Sequence, residues 1–319
     1  MSATVYDFQG LKLDNFERLK LRPVEGIPLI ETTADTWDQV KTFQAKSDDL
    51  LIATYPRAGT TWMQEIVDMI NNKGNIEKCI RGPMHDRFPF IEIVPLPPSP
   101  SGVKHAEQMQ SPRIIKTHLP FQLIPKSFLE EKCKIIYVAR NAKDNAVSYY
   151  HFHQMNRGLP EPGTWEEFLK KFQEGTLCWG SWYAHVQGWW DAKDHHNILY
   201  IFYEDIKESP RREIQRVMQF LNADLPDNIL EKIYQHTSFE FMKKNPMTNY
   251  STIPPPIFDH TISAFMRKVF LLIFIKRQLW GCKSPRTDDS RALISSNNQE
   301  TAWKSLQMLC FSLEQHDAH

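Results

Sequence analysis

Neither sign of charge prevails in this 319-residue chain, where 38 Lys and Arg stand against 38 Asp and Glu. That balance argues against a partner chosen by bulk electrostatic attraction, such as duplex nucleic acid or an anionic membrane surface, so any anion has to be held by a local site. Long hydrophobic runs are also missing. The longest, Val269 to Ile275 (VFLLIFI), is far shorter than the roughly 20 residues needed to cross a bilayer. The five cysteines (Cys79, Cys133, Cys178, Cys282 and Cys310) are widely spaced and never form Cys-x-x-Cys, which argues against a disulfide scaffold or a structural zinc site. Met1 to Phe8 carries no basic stretch followed by an apolar core, so no signal peptide is expected and a reducing, soluble compartment is the default. The 41% hydrophobic and 24% charged residues are those of an ordinary globular protein. The length allows two domains of about 150 residues or one α/β domain of about 250–300.

No internal repeat is visible. Short β-rich runs alternate instead with helical patterns, which predicts parallel strands joined by helical crossovers. Leu50–Thr54, Arg113–Thr117, Lys134–Ala139 and Ile198–Tyr203 read as strands. The spacing of apolar residues predicts helices over Trp62–Ile70, Asp144–Phe152 and Arg211–Leu221. The aromatic-rich run Trp179 to Trp190 (WGSWYAHVQGWW) reads as a buried helix. Proline-rich stretches at Pro95–Pro100 and Pro254–Pro256 read as surface loops. From Lys283 to Glu300 the chain turns polar with little periodicity, a composition that buries little surface.

Three segments carry chemistry. Thr54–Trp62 (TYPRAGTTW) lies between a predicted strand and a predicted helix, where unpaired backbone N–H groups and the helix dipole make an anion site. Gly59 lets the backbone approach the anion, Thr60 and Thr61 add hydroxyl donors, and Arg57 adds a full charge. This is not the Walker form, because no Lys-Ser/Thr pair follows the glycine. From spacing alone, a helix-capping turn with a surface arginine is an equal reading. In the second segment Arg140 falls at the carboxyl end of an apolar strand, where open α/β sheets place their ligands. Ser148 lies about two turns further on. Capping a helix, or pairing with Asp144, is the other reading of Arg140. In the third, Lys116-Thr-His-Leu-Pro120, Lys116 and His118 project to one face of a strand. The cation disfavours imidazolium and keeps the imidazole free to accept a proton. A structural histidine is the competing reading. No serine elbow, His-Glu-x-x-His or acidic cluster with metal spacing occurs.

Together these segments place the stretch from about Leu21 to Lys268 in a known family, since it closely resembles the cytosolic sulfotransferases and, within them, the phenol (aryl) branch. The matching stretches are Thr54–Trp62, Lys116–Pro120, Tyr137–Phe152 (YVARNAKDNAVSYYHF), Gly180–Trp190 (GSWYAHVQGWW), Leu199–Ile206 (LYIFYEDI), Thr237–Met242 (TSFEFM), Asn245–Asn249 (NPMTN) and Phe265–Lys268 (FMRK). The resemblance implies an α/β, three-layer P-loop-like fold with a central, mainly parallel sheet flanked by helices. It implies transfer of the sulfuryl group of 3′-phosphoadenosine 5′-phosphosulfate (PAPS) to the hydroxyl of small phenolic or related acceptors, with no metal, in the cytoplasm.

Residue by residue, the resemblance implies that Arg57, Ala58, Gly59, Thr60, Thr61 and Trp62 surround the 5′-phosphosulfate, with Trp62 stacking on adenine. Arg140 and Ser148 match the grip on the 3′-phosphate. Tyr203 and the run Thr237, Ser238, Phe239, Glu240, Phe241 and Met242 match residues beside adenine, and Phe265, Met266, Arg267 and Lys268 match a further segment at the 3′-phosphate. His118 matches the catalytic base, and Lys116 with Arg57 the cations that stabilise charge on the leaving group. Phe90, Ile93, Phe152 and Ile257 match the acceptor wall, with Lys116, Thr117 and His118 at the acceptor hydroxyl.

The chain departs from the family in two places. Arg57 stands where the family usually has lysine, and after Lys268 the run Val269–Ile275 replaces a glycine, a Gly-Asp-Trp-Lys stretch and a dimer segment. Residues 1–268 therefore read as the sulfotransferase domain and 269–319 as a divergent tail, and the family's homodimer is not expected. Two other readings stand beside the leading one. One is a nucleotide-binding form without turnover, motivated by the tail. The other is a P-loop kinase, with Glu204-Asp205 as its metal site.

Overall fold

The computed structural model describes residues 17–95 and 99–267. Lys268, the tail 269–319 and part of the Pro95–Pro100 loop lie outside the described residues, so the expected division at position 268 falls beyond them as well.

Four parallel strands form the centre: β3 (Leu50–Thr54), β4 (Ile114–Thr117), β5 (Lys134–Ala139) and β6 (Ile198–Phe202), in the order β4-β3-β5-β6. Before them, β1 (Leu21–Val24) and β2 (Ile27–Ile30) make a separate antiparallel hairpin. All five residues of β3 are buried, as expected of a parallel strand covered on both faces, which is why it reads as an unbroken apolar run. Alternation along β3 and β5 sends Leu51, Ala53, Ile135 and Tyr137 to one face and Leu50, Ile52, Ile136 and Val138 to the other.

The second face is covered by helix Thr60–Asn71, through Met63, Ile66, Val67 and Ile70, and by helix Pro210–Phe220, through Ile214, Val217 and Met218. The first face is covered by helices Ala142–Met155, Trp165–Glu174 and Trp182–Ala192 through Tyr149, Phe168 and Trp189. These are the three layers expected. The register Ala53↔Tyr137 and Thr54↔Val138 brings the carboxyl ends of β3 and β5 side by side, so the turns that follow them emerge next to each other.

The aromatic run differs in part from expectation. Its helix begins only at Trp182, because Trp179 and Gly180 hold φ of +66° and +80°, outside helical space for L residues. Arg113 stays just outside β4. Its buried guanidinium is taken by Asp49, with a 2.8 Å bond from Nε to Oδ1.

Candidate functional site

The turn after β3 passes directly into helix Thr60–Asn71, whose N-cap is Gly59 at φ +111° with no side-chain cap. No side chain therefore takes up the first amides of that helix. Glycine is required at this point, since a Cβ on residue 59 would lie 2.8 Å from Tyr203 Cδ2 as well as strain the backbone. Arg57 also has positive φ, +68°. Its Nη2 donates to Phe265 O at 2.6 Å and its Nε to Ser148 Oγ at 3.3 Å. The guanidinium carbon lies 4.8 Å from the centre of the Phe152 ring and 4.5 Å from that of Phe265. Burial, and then the neighbouring Arg140, push the Arg57 guanidinium down to about 10.

The turn after β5 delivers Arg140 to the same place. Its Nη1 donates to Arg57 O at 2.9 Å, its guanidinium carbon sits 4.4 Å from the centre of the Tyr203 ring, and its buried Nε has no partner. The Asp144 carboxylate accepts from Asn141 Nδ2 at 2.9 Å. Tyr203 in turn meets Trp62 edge to face at 5.5 Å.

At the carboxyl end of β4, His118 is held from several sides. Its Nδ1–H donates to Thr54 O at 2.8 Å, which leaves Nε2 as the ring's acceptor. The ring packs edge to face against Phe90 at 4.9 Å and Trp179 at 5.2 Å. Burial first, and then Lys116, hold the imidazolium well below its ordinary range. The Lys116 ammonium, 4.0 Å above the Phe90 ring, is itself pushed down to about 8 by burial, with Arg57 adding to the effect and Glu92 opposing it.

One cavity of about 800 Å³ joins these groups. Its wall takes Arg57, Gly59, Thr60, Thr61, Trp62, Arg140, Ser148, Tyr203, Thr237, Phe239, Met242, Phe265, Met266 and Arg267 from the two turns and the segments near them, and also Lys116, His118, Phe90, Phe152, Ile93 and Ile257. Five expected residues lie off this wall. Ala58 and Thr117 are fully buried, Thr117 donating from Oγ1 to Glu92. Ser238 accepts the Phe241 N–H to cap the following helix, and Glu240 and Phe241 are exposed. Lys268 is outside the described residues. The Glu204 carboxylate, considered above for a metal, accepts from both the backbone N–H and the side-chain amide of Asn141.

Sequence reasoning missed Glu92. It is 1% exposed and accepts hydrogen bonds from three residues around His118. The available signal was an acid flanked by isoleucines in Phe88–Val94 (FPFIEIV), because a carboxylate inside an apolar run is normally paired.

Comparison with known proteins follows the same outline. The family described as the sulfotransferase domain matches residues 47–270. Human sulfotransferase 1C2 is 57% identical over 259 residues, spanning 81% of this chain and 87% of that protein. Bovine sulfotransferase 1A1 is 54% identical over 245 residues, 77% and 83% of the two chains. Among solved structures, mouse sulfotransferase SULT7A1 complexed with PAP superposes with a TM-score of 0.66 at 27% identity, over 92% of this chain and 99% of that one. A retinol dehydratase complex shares the fold at a TM-score of 0.69 and 24% identity, over 77% and 80% of the chains. The chain belongs to the cytosolic sulfotransferases and is a PAPS-dependent enzyme that sulfonates small hydroxyl acceptors.

Proposed function

We propose that the acceptors are small phenols and related flat hydroxyl compounds, that His118 is the general base, and that Lys116 and Arg57 supply the positive charge. The observation that carries this reading is that His118 and Lys116 line the same cavity as the turns after β3 and β5, with the His118 Nδ1–H given to Thr54 O so that Nε2 is left as the acceptor. An uncapped helix start, a buried Arg140 Nε without a partner and a cradle that a Cβ on residue 59 would fill all suit a doubly charged nucleotide. Gly59 to Trp62 would hold its 5′ end, Arg140, Ser148 and Arg267 its 3′-phosphate, and Trp62 and Phe239 its base. When bound, PAPS supplies an activated sulfuryl group.

His118 Nε2 takes the proton of the acceptor hydroxyl as its oxygen becomes a nucleophile. Its neutral form is favoured by burial and by Lys116. The Lys116 ammonium stabilises negative charge as it develops on the departing side, in a place that excludes water. Phe90, Phe152, Ile93 and Ile257 give the acceptor an apolar, ring-sized wall. We further read the chain as cytoplasmic, consistent with the absence of any helix long and apolar enough to cross a membrane among the described residues. It is read as monomeric, because the family's dimer segment has no counterpart after Lys268.

The test is transfer of labelled sulfate from PAPS to a simple phenol. Wild type transfers, while His118→Ala loses roughly 10²–10⁴-fold in kcat with little change in nucleotide affinity. Equal rates in the two proteins would remove His118 from the role of base.

A further inference from the structure

Glu92 lies behind the catalytic face, on none of the cavity's wall. It is 1% exposed, in the turn that follows the Phe90 bridge to β4, and its own carbonyl accepts from Thr33 Oγ1 at 2.6 Å. Its carboxylate gathers three donors. Oε1 accepts the backbone N–H of His118 at 2.7 Å and the indole N–H of Trp179 at 3.1 Å, and Oε2 accepts the Thr117 hydroxyl at 2.9 Å. The Thr117 oxygen accepts the Leu119 N–H at 3.0 Å. One carboxylate thus fixes the backbone of His118, the residue before it and the indole against which the imidazole packs.

Resting on the function proposed above, we infer that Glu92 is a positioning residue for the reaction: as a carboxylate it holds the backbone of His118 and the ring of Trp179, and so sets where the imidazole meets the acceptor hydroxyl. The geometry makes this depend on charge. An ionised carboxylate is acceptor-only and suits three converging donors. A protonated one must donate from one oxygen. The Thr117 side is where that happens, because the His118 amide and the Trp179 indole can only donate.

Burial raises the Glu92 carboxyl to about 7, opposed by the hydrogen bonds from His118 and Thr117 and by Lys116. The groups facing it are Lys116 and His118 from the β4 segment and Trp179 and Cys178 from the stretch before helix Trp182–Ala192. His185, on that helix, donates from Nε2 to His118 O at 3.0 Å and supports the same backbone from the other side. His118 itself titrates well below its ordinary range. The fall in rate on mild acidification is therefore set by Glu92 taking a proton, and not by loss of the base.

Glu92→Gln keeps the shape of the side chain and imitates its neutral form, since the amide nitrogen can only donate toward Thr117. Two readouts decide. In kinetics, wild-type kcat falls roughly fivefold as the pH drops through the Glu92 value of about 7, whereas Glu92→Gln lies roughly fivefold below the wild-type maximum and stays flat through the same range. The KM for PAPS is unchanged in both. In amide NMR of the whole chain, the His118 N–H resonance of wild type moves with a midpoint near the Glu92 value of about 7, and this titration disappears in Glu92→Gln. The second readout needs no turnover, so a wild type that transfers no sulfate defeats the proposed function while the amide titration still decides for or against Glu92. A His118 amide that ignores pH near neutrality, or that titrates alike in both proteins, overturns the proposal. So does a wild-type acid limb that survives unaltered in Glu92→Gln.

Discussion

Arg140 donates a 2.9 Å hydrogen bond to the backbone carbonyl of Arg57, so the turn after one central strand is tied to the turn after its neighbour. The tie exists because β3 and β5 are adjacent and in register, Thr54 beside Val138. The two cationic turns thus stand together on one cavity, and Tyr203 lies against both, its ring facing Arg140 and packing beside Gly59.

Removing that tie should be felt in nucleotide binding. Arg140→Ala is expected to raise the Kd for adenosine 3′,5′-bisphosphate by roughly thirtyfold, which corresponds to about 2 kcal/mol for losing a hydrogen bond to a charged partner. Arg140→Lys should recover only part of this, because lysine keeps the charge and not the fork. Isothermal titration calorimetry measures both. An unaltered Kd in Arg140→Ala would mean that the anion is held elsewhere.

Gly59→Ala tests the cradle. With φ at +111° and a Cβ 2.8 Å from the Tyr203 ring, the substitution strains the backbone and displaces the ring that supports Arg140. We expect Tm to fall by roughly 2–4 °C, together with an at least roughly tenfold loss of adenosine bisphosphate affinity. Gly82 is the control, since a Cβ there would have its nearest neighbour 4.0 Å away at Asp86. Gly82→Ala should leave both measurements where they were. Equal effects at the two glycines would dissociate the turn at residue 59 from ligand binding.

Much of this architecture is legible in the sequence for a simple reason. Strands covered on both faces must be apolar throughout, so Leu50–Thr54 and Lys134–Ala139 stand out. Helix Thr60–Asn71 follows at its own period. The β1–β2 hairpin is not legible. Its strands have four residues each, are partly exposed, and turn through Glu25 and Gly26 at φ of +48° and +84°, where glutamate gives none of the usual Asn-Gly signal. Helix Trp165–Glu174, not among the expected helices, does carry local signals, a capping box of Thr164 with Glu167 and apolar Trp165, Phe168, Leu169 and Phe172 at helical spacing. At the site, residue types announce Arg57, Lys116, His118 and Arg140. Glu92 escapes because its role depends on three donors converging from Thr117, His118 and the distant Trp179, which no local spacing encodes.

Oligomeric state offers a separate check. The family's dimer segment is absent after Lys268, so light scattering coupled to size exclusion should give a mass near 37.5 kDa, that of one chain. Twice that mass at micromolar concentration would show that another surface joins the copies.

The pH profile ties the cations to the base. In the roles proposed above, Lys116 works protonated and His118 neutral. Burial lowers both groups, Lys116 to about 8 and His118 well below its ordinary range. As pH rises through about 8, Lys116 loses its proton and the positive charge beside the leaving group is lost, so kcat falls on the alkaline side while the imidazole remains in its working form. Lys116→Arg carries a charge that does not titrate in this range, and its alkaline limb should move up by more than about one pH unit even though the absolute rate is lower. Lys116→Met, which has no charge to lose, should show no alkaline limb and a kcat reduced roughly 10²–10³-fold. Profiles of kcat against pH for the three proteins separate this from a fall caused by unfolding, which would bring the limb to the same place in all of them. An alkaline limb unmoved in Lys116→Arg would assign it to another group and leave Lys116 without its electrostatic part in the transfer.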